Sequence, residues 1–140
     1  MRKMIILFLF FTLSCAQIVV LTDPLTAQEH LNLGYIYERK GELKLAKEEY
    51  EKALRKDKNL WKARFNLGNI YAKEGDYAKA EEEYRKALEL HHEDADVLNN
   101  LAWVVYKQGR REEALSIIQK AISLRDSKEY RETLREIEGR

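Results

Sequence analysis

The sequence repeats itself every 34 residues, and this period constrains the fold more than any other feature. Shifting the chain by 34 positions aligns seven columns of related residues without a gap. Three rows in one register predict three copies of a single supersecondary unit. The columns are Leu33/Leu67/Leu101, Gly34/Gly68/Ala102, Tyr37/Tyr71/Val105, Gly41/Gly75/Gly109, Ala46/Ala80/Ala114, Tyr50/Tyr84/Ile118 and Ala53/Ala87/Ala121.

Each unit is predicted to form two helices. In the middle unit, Leu67, Ile70 and Tyr71 have the i, i+3, i+4 spacing of one helical face, and the residues after Gly75 continue with the same period. Glycine suits the left-handed conformation just past a helix end, so Gly75 and its equivalents mark the turn. We expect the small-residue columns to let the paired helices approach closely, with the tyrosine columns filling the wider gaps.

The motif Leu67-Gly68-x-x-Tyr71, followed by Ala80-x-x-x-Tyr84, resembles the tetratricopeptide repeat family. The resemblance implies an all-α fold, a right-handed α-solenoid of three helix-turn-helix repeats at 27–60, 61–94 and 95–126, with a C-terminal capping helix within 127–140. Two features depart from the family pattern. Its usual proline near the repeat end is replaced, and the third repeat has two aliphatic residues in aromatic columns.

Both ends of the array carry helix-start signals. Thr26-x-x-Glu29 and Asp126-x-x-Glu129 each have the form of a capping box. The second is predicted to open a seventh helix over 127–138, with one apolar stripe and charged residues facing water. Such a polar cap is what a repeat array needs for solubility.

The N-terminus indicates export. Arg2 and Lys3 precede a ten-residue apolar run at 4–13 and then the small residues of 14–16. The run is shorter than the roughly 20 residues that span a bilayer. Leu13-Ser14-Cys15 resembles the end of a bacterial lipobox, which predicts a signal peptide at 1–14, acylation of Cys15 and a tether at 15–25. Cleavage before Gln17 and an uncleaved anchor are the alternatives. We expect an exported, membrane-anchored lipoprotein facing the periplasm.

Composition excludes several classes of function. Lys+Arg (25) nearly balances Asp+Glu (24), so no basic field favours nucleic acid. Cys15 is the only cysteine, which rules out an intramolecular disulfide or a CxxC metal site. The run at 91–94, which begins His91-His92, fits a solvated linker better than a metal site, and His30 has no partner within one turn. Without a nucleophile–base set or phosphate loop, we predict no enzyme activity and no cofactor.

The family resemblance implies a peptide groove along the first helices. The candidate binding residues are an amide column (Asn32, Asn66, Asn100, with Asn69), aromatic anchors (Tyr35, Phe65, Trp103, Tyr106) and a basic column (Arg39, Lys73, Lys107). Trp103 is the first-choice anchor and is predicted to lie off the core, so its removal should spare stability. The family's carboxylate clamp is not reproduced, because only Asn66 matches it.

These observations predict a scaffold that binds a peptide of another envelope protein. Contact with the membrane would come through the N-terminal lipid or anchor, and the chain would be a monomer or weak oligomer. The alternative is a structural module that self-assembles through its repeat ends.

Overall fold

The computed structural model describes residues 23–139, which fold into seven α-helices without a strand. The helices are α1 (Ala27–Arg39), α2 (Leu43–Lys56), α3 (Trp61–Glu74), α4 (Tyr77–Leu90), α5 (Ala95–Lys107), α6 (Arg111–Leu124) and α7 (Lys128–Glu138). The helices pack as the pairs α1–α2, α3–α4 and α5–α6, each pair packs on the next, and α7 packs on α5 and α6. This confirms the predicted all-α solenoid, whereas the predicted signal peptide, Cys15 and most of the tether lie outside the described residues.

The turn inside each repeat depends on a glycine with positive φ. Gly75 ends α3 with φ 80°, and Gly41 and Gly109 have φ 77° and 83°. No atom lies within 4 Å of where a Cβ would stand at these positions. Backbone conformation therefore requires the glycine here, as predicted, because a side chain is disfavoured in the left-handed region.

A different glycine column sets how closely the two helices of a repeat approach. A Cβ built on Gly68 would lie 2.5 Å from Cε1 of Tyr84, and one on Gly34 would lie 2.5 Å from Cε1 of Tyr50. Carbon atoms in favourable contact are about 3.5–4.0 Å apart. The tyrosine ring thus occupies the space of the missing side chain. The predicted close approach at the glycine is present, but the tyrosine packs onto that glycine and does not fill a separate, wider gap. In the third repeat the same positions hold Ala102 and Ile118, both fully buried.

The first helix begins as predicted, but the last begins one residue later. The Thr26 hydroxyl accepts from the Glu29 N–H, and the Glu29 carboxylate accepts from the Thr26 N–H, so the capping box is complete. The prediction of a capping box at Asp126 is wrong. Ser127 is the N-cap of α7 and accepts from the Tyr130 N–H, while the Asp126 carboxylate pairs with Arg131. A shift of one residue takes Asp126 out of reach of the first-turn N–H groups.

Helix α7 is attached by its apolar stripe and by side-chain hydrogen bonds to α5. Tyr130 and Ile137 are buried against the core of the last repeats. The Tyr130 hydroxyl donates to the Asp96 carboxylate at 2.6 Å, and burial raises the pKa of Tyr130 to about 12. The predicted cap is therefore present, and Asp96 helps to hold it.

The opposite end of the array is uncovered in the described residues. Ile36 on α1 is 48% exposed, whereas its equivalents Ile70 and Val104 are fully buried. In the second and third repeats, a helix of the preceding repeat packs on the first helix: α2 packs on α3, and α4 packs on α5. No described helix precedes α1. Position in the array, and not residue type, thus decides the exposure of Ile36.

The interpretation of His30 as an isolated residue is wrong. Its buried ring has Nδ1 2.6 Å from Oε2 of Glu49 and Nε2 2.7 Å from Oδ2 of Asp23. Glu49 is on α2, 19 positions away, so spacing within one helix does not reveal the pair. The equivalent positions hold an ion pair in repeat two, Arg64–Glu83, and the apolar residues Leu98 and Ile117 in repeat three.

Candidate peptide-binding groove

Three cavities follow one another along the first helices of the repeats. They measure about 520 Å³ between α1 and α3, about 350 Å³ in the middle, and about 500 Å³ between α3, α5 and α7. Tyr35, Phe65 and Asn66 line both the first and the second, and Asn69 and Lys73 line both the second and the third. The shared walls make one continuous depression, called the groove below.

Nine of the eleven residues predicted from the sequence line this groove: Asn32, Tyr35, Arg39, Phe65, Asn66, Asn69, Lys73, Asn100 and Trp103. The other two, Tyr106 and Lys107, line none of its three cavities. Tyr106 packs against the core instead, and the Lys107 ammonium lies over its ring. Whether these residues bind a ligand stays a prediction.

The N-terminal end of the groove is apolar and aromatic. Tyr35 is 53% exposed, and Phe65, Trp61 and Leu31 form the surrounding walls. Trp61 is fixed by a parallel stack with His91, with the ring centroids 4.4 Å apart. This end offers an apolar side chain a preformed aromatic surface, which is typical of ligand pockets.

Two members of the amide column already serve the fold. The Asn100 amide N–H and the Tyr84 hydroxyl both donate to Oδ1 of Asn69, at 2.9 and 2.8 Å. Asn100 is thereby linked to the preceding repeat, where Asn69 holds the hydroxyl of the buried Tyr84. Burial raises the pKa of Tyr84. Whether these amides also bind a peptide backbone stays a prediction, since each amide keeps further hydrogen-bonding capacity.

Two of the three residues in the basic column are paired with carboxylates. The Lys73 ammonium is 2.6 Å from the Glu38 carboxylate, and the Lys107 ammonium is 2.9 Å from Glu136. The sequence did hold a signal for the first pair, since Glu38 and Lys73 are separated by one repeat plus one residue. The charges of Lys73 and Lys107 are thus partly balanced, whereas the Arg39 guanidinium donates to the hydroxyl of Tyr35.

Trp103 is more deeply packed than predicted. Its ring contacts Tyr77 edge-on at 5.6 Å, the Lys107 ammonium lies 5.0 Å from its centroid, and one side packs on the core. The assignment of Trp103 to a face off the core is thus wrong. Removing this ring would cost stability as well as any contact with a ligand.

Sequence reasoning missed one wall of the groove altogether. Glu129, Glu132, Thr133 and Glu136 of α7 line its C-terminal end. The sequence placed two of these glutamates on the water-facing side of a cap. Their spacing of i, i+3 and i+7 was a signal of a shared helical face, but only the packing of α7 shows what that face borders.

The described part of the chain, residues 23–139, contains no group of three His, Cys, Asp or Glu side chains suited to a metal ion. None of its helices combines the length and apolarity needed to cross a membrane.

Two family models, each describing the tetratricopeptide repeat, match residues 27–60 and 60–127. The chain belongs to the tetratricopeptide repeat family. No protein with curated annotation matches the sequence significantly.

Solved structures of the same family superimpose on this one. YrrB, described as a TPR protein with an unusual peptide-binding site, is 28% identical with a TM-score of 0.74, and the match covers 79% of this chain and 58% of YrrB. The first TPR of Spaghetti (RPAP3), bound to the HSP90 peptide SRMEEVD, is 20% identical with a TM-score of 0.78, covering 86% and 96%. The N-terminal domain of STI-1 from C. elegans is 21% identical with a TM-score of 0.69, covering 80% and 94%.

Proposed function

We propose that this protein is a non-enzymatic scaffold that binds a peptide segment of another protein along the groove. The observation that carries the proposal is the continuity of the three cavities from α1 to α7. A long, partly aromatic depression suits an extended or helical segment better than a compact small molecule. The peptide-binding site named for YrrB and the peptide bound to RPAP3 support the proposal.

Tyr35 is the anchor that the geometry favours. It is more than half exposed, and its ring lines both the apolar end and the middle of the groove. Exposed tyrosines in a depression lose water when a ligand covers them and commonly dominate the binding energy. Since Tyr35 lies outside the buried core, its removal separates binding from folding better than removal of Trp103.

The test selects ligands from random peptides of about twelve residues, which in extended form span about 40 Å. Tyr35→Ala should weaken the selected peptides by about 30-fold, the equivalent of about 2 kcal/mol. The matched control is Leu45→Ala, a leucine 40% exposed on α2 that lines none of the three cavities. If the selected peptides tolerate Tyr35→Ala but not Leu45→Ala, the groove is the wrong surface.

We further propose that the scaffold works in the bacterial envelope, held there by a lipid on Cys15. The support is the sequence alone: a basic start, an apolar run and a cysteine at the lipobox position. Cys15→Ser should release the protein from membranes or leave the precursor uncut. A mature chain that begins at Gln17, or a Cys15→Ser protein that fractionates unchanged, would contradict this anchor.

A further inference from the structure

We propose that the C-terminal end of the groove is a site for a cationic side chain, lysine or arginine, of the bound peptide. The site is the cavity of about 500 Å³ between α3, α5 and α7. This inference rests on the proposed function, because the cation is part of the peptide that the groove binds. It assigns to that peptide a positively charged side chain at the α7 end of the groove.

The first argument is the charge of the wall. Glu129, Glu132 and Glu136 all line the cavity from α7, and Lys73 is the one cation among the residues that line it. Lys73 is itself paired with Glu38 at 2.6 Å. The wall therefore presents a surplus of carboxylates to whatever enters.

The carboxylates are unequally occupied. Glu136 is bound to Lys107 at 2.9 Å, and Glu132 has only the distant Lys128 (3.7 Å) and Arg135 (3.9 Å). Within residues 23–139, Glu129 takes part in no ion pair. Two of the three carboxylates thus keep most of their capacity to accept a charged hydrogen bond.

The second, independent argument is the direction of the hydrogen bonds in the floor. The Tyr84 hydroxyl and the Asn100 amide N–H both donate to Oδ1 of Asn69, at 2.8 and 2.9 Å. The Asn99 amide N–H donates in turn to Oδ1 of Asn100 at 3.1 Å. The Tyr84 hydroxyl and one N–H each of Asn100 and Asn99 are thus engaged inside the protein, and the chain ends on an acceptor, Oδ1 of Asn99.

Asn99 lines this cavity with its side chain only 5% exposed, and its Oδ1 has no hydrogen-bond partner among the described residues. A buried carbonyl without a donor is unfavourable, and most such groups in proteins are satisfied. A ligand that brings N–H groups relieves this, whereas a ligand that brings a carboxylate adds to it. The carboxylates of the wall and the unpaired carbonyl of Asn99 in the floor thus both favour a ligand group that donates hydrogen bonds.

The ring of Trp103 completes the site. It lines the cavity, and the Lys107 ammonium already lies 5.0 Å from its centroid. An aromatic face attracts a cation and also covers the aliphatic stem of a lysine or arginine. The cationic side chain that this site would prefer is opposite in charge to the acidic end of the HSP90 peptide SRMEEVD that is bound to RPAP3.

The experiment uses peptides selected on the full chain from the random library and then made as pairs, with each lysine or arginine replaced by norleucine or by glutamate. At the position that meets α7, the change to glutamate should weaken binding about tenfold or more, since close charge pairs at interfaces couple at least this strongly. With the Glu129→Gln/Glu132→Gln protein, the same change in the peptide should weaken binding by less than about twofold. Both glutamates are exposed. Circular dichroism verifies that the variant is folded.

The charge-matched control is Glu82→Gln/Glu112→Gln, which removes two carboxylates from exposed positions that do not line the groove. The measured quantity is the difference in affinity between the peptide with lysine or arginine and its version with glutamate. If both double variants reduce this difference equally, the difference reflects net charge and the site is refuted. The inference also fails if selected peptides are acidic or neutral and bind the Glu129→Gln/Glu132→Gln protein as well as the wild type. In those cases a continued loss on Tyr35→Ala leaves the proposed function standing. Peptides that ignore Tyr35→Ala would overturn both.

Discussion

The Gly68–Tyr84 contact gives the sharpest test of how the repeats are held together. Replacing Gly68 by alanine places a carbon 2.5 Å from Cε1 and 2.6 Å from Cδ1 of a buried tyrosine ring. Helix propensity alone makes the opposite forecast, since alanine in a helix interior is favoured over glycine by about 1 kcal/mol. The sign of the measured change therefore decides between local propensity and tertiary packing.

The magnitude follows from what the ring must give up. Moving Tyr84 by about 1 Å to reach normal contact distance overpacks its neighbours, at a typical cost of about 1–3 kcal/mol. The movement also stretches the hydrogen bond from its hydroxyl to Asn69, which contributes about 1 kcal/mol. After subtracting the propensity gain, Gly68→Ala should lower the free energy of unfolding by about 2 kcal/mol or more.

The third repeat supplies the compensating change. There the equivalent pair is Ala102 and Ile118, both buried, so Gly68→Ala/Tyr84→Ile copies a combination that the fold already contains. In a double-mutant cycle measured by urea unfolding with circular dichroism, the double variant should be more stable than the sum of the single variants by about 1–3 kcal/mol.

Gly75→Ala is the matched control. The new Cβ has no atom within 4 Å, but φ is 80°, so the loss of about 1 kcal/mol should come from the backbone alone and should not respond to Tyr84→Ile. The reasoning is refuted if Gly68→Ala stabilises the protein, or if the Gly68 and Tyr84 changes are additive.

Three other changes probe single interactions. His30→Leu should cost about 3 kcal/mol by leaving the buried carboxylate of Glu49 with Lys52 alone, and adding Glu49→Ile, as in repeat three, should restore most of it in urea unfolding. Burial raises the pKa of Glu81, but hydrogen bonds from two arginines and a glutamine outweigh this and lower it to about 2. Stability from this group is therefore present above about pH 4.5 and lost as pH falls towards 2, so Glu81→Gln should flatten unfolding free energy across that window. Tyr130→Phe should speed amide hydrogen exchange in α7, because its hydroxyl anchors that helix to α5 at 2.6 Å.

The period of 34 residues was sufficient to predict the helices, the turns and most of the core. Gly75 needs its φ because of local backbone geometry, and Leu67 and Ile70 share a face because of helical spacing. Both facts involve residues close in sequence, and so the pattern displays them directly. The same logic placed Tyr35 and Phe65 on the groove, since they belong to one face of consecutive first helices.

The pattern failed where a side chain has its partner on another helix. The Asn100 amide N–H donates to Asn69, and the Lys73 ammonium is paired with Glu38. In each case the partner belongs to the preceding repeat. A self-alignment shows that columns recur but does not show which neighbouring columns come within hydrogen-bond distance.

The sequence by itself thus determined the architecture, because helix periodicity, capping and glycine turns are local properties that recur in each repeat. Only the tertiary structure decided the charge of the groove. Glu129, Glu132 and Glu136 carry the same charge in any arrangement, but whether they face open solvent or line the groove depends on how Tyr130 and Ile137 pack α7 against the core. The electrostatic potential at a site is the sum of contributions from charged groups that packing brings together. The repeat period can be read along the chain, whereas the distances between these groups depend on the tertiary structure.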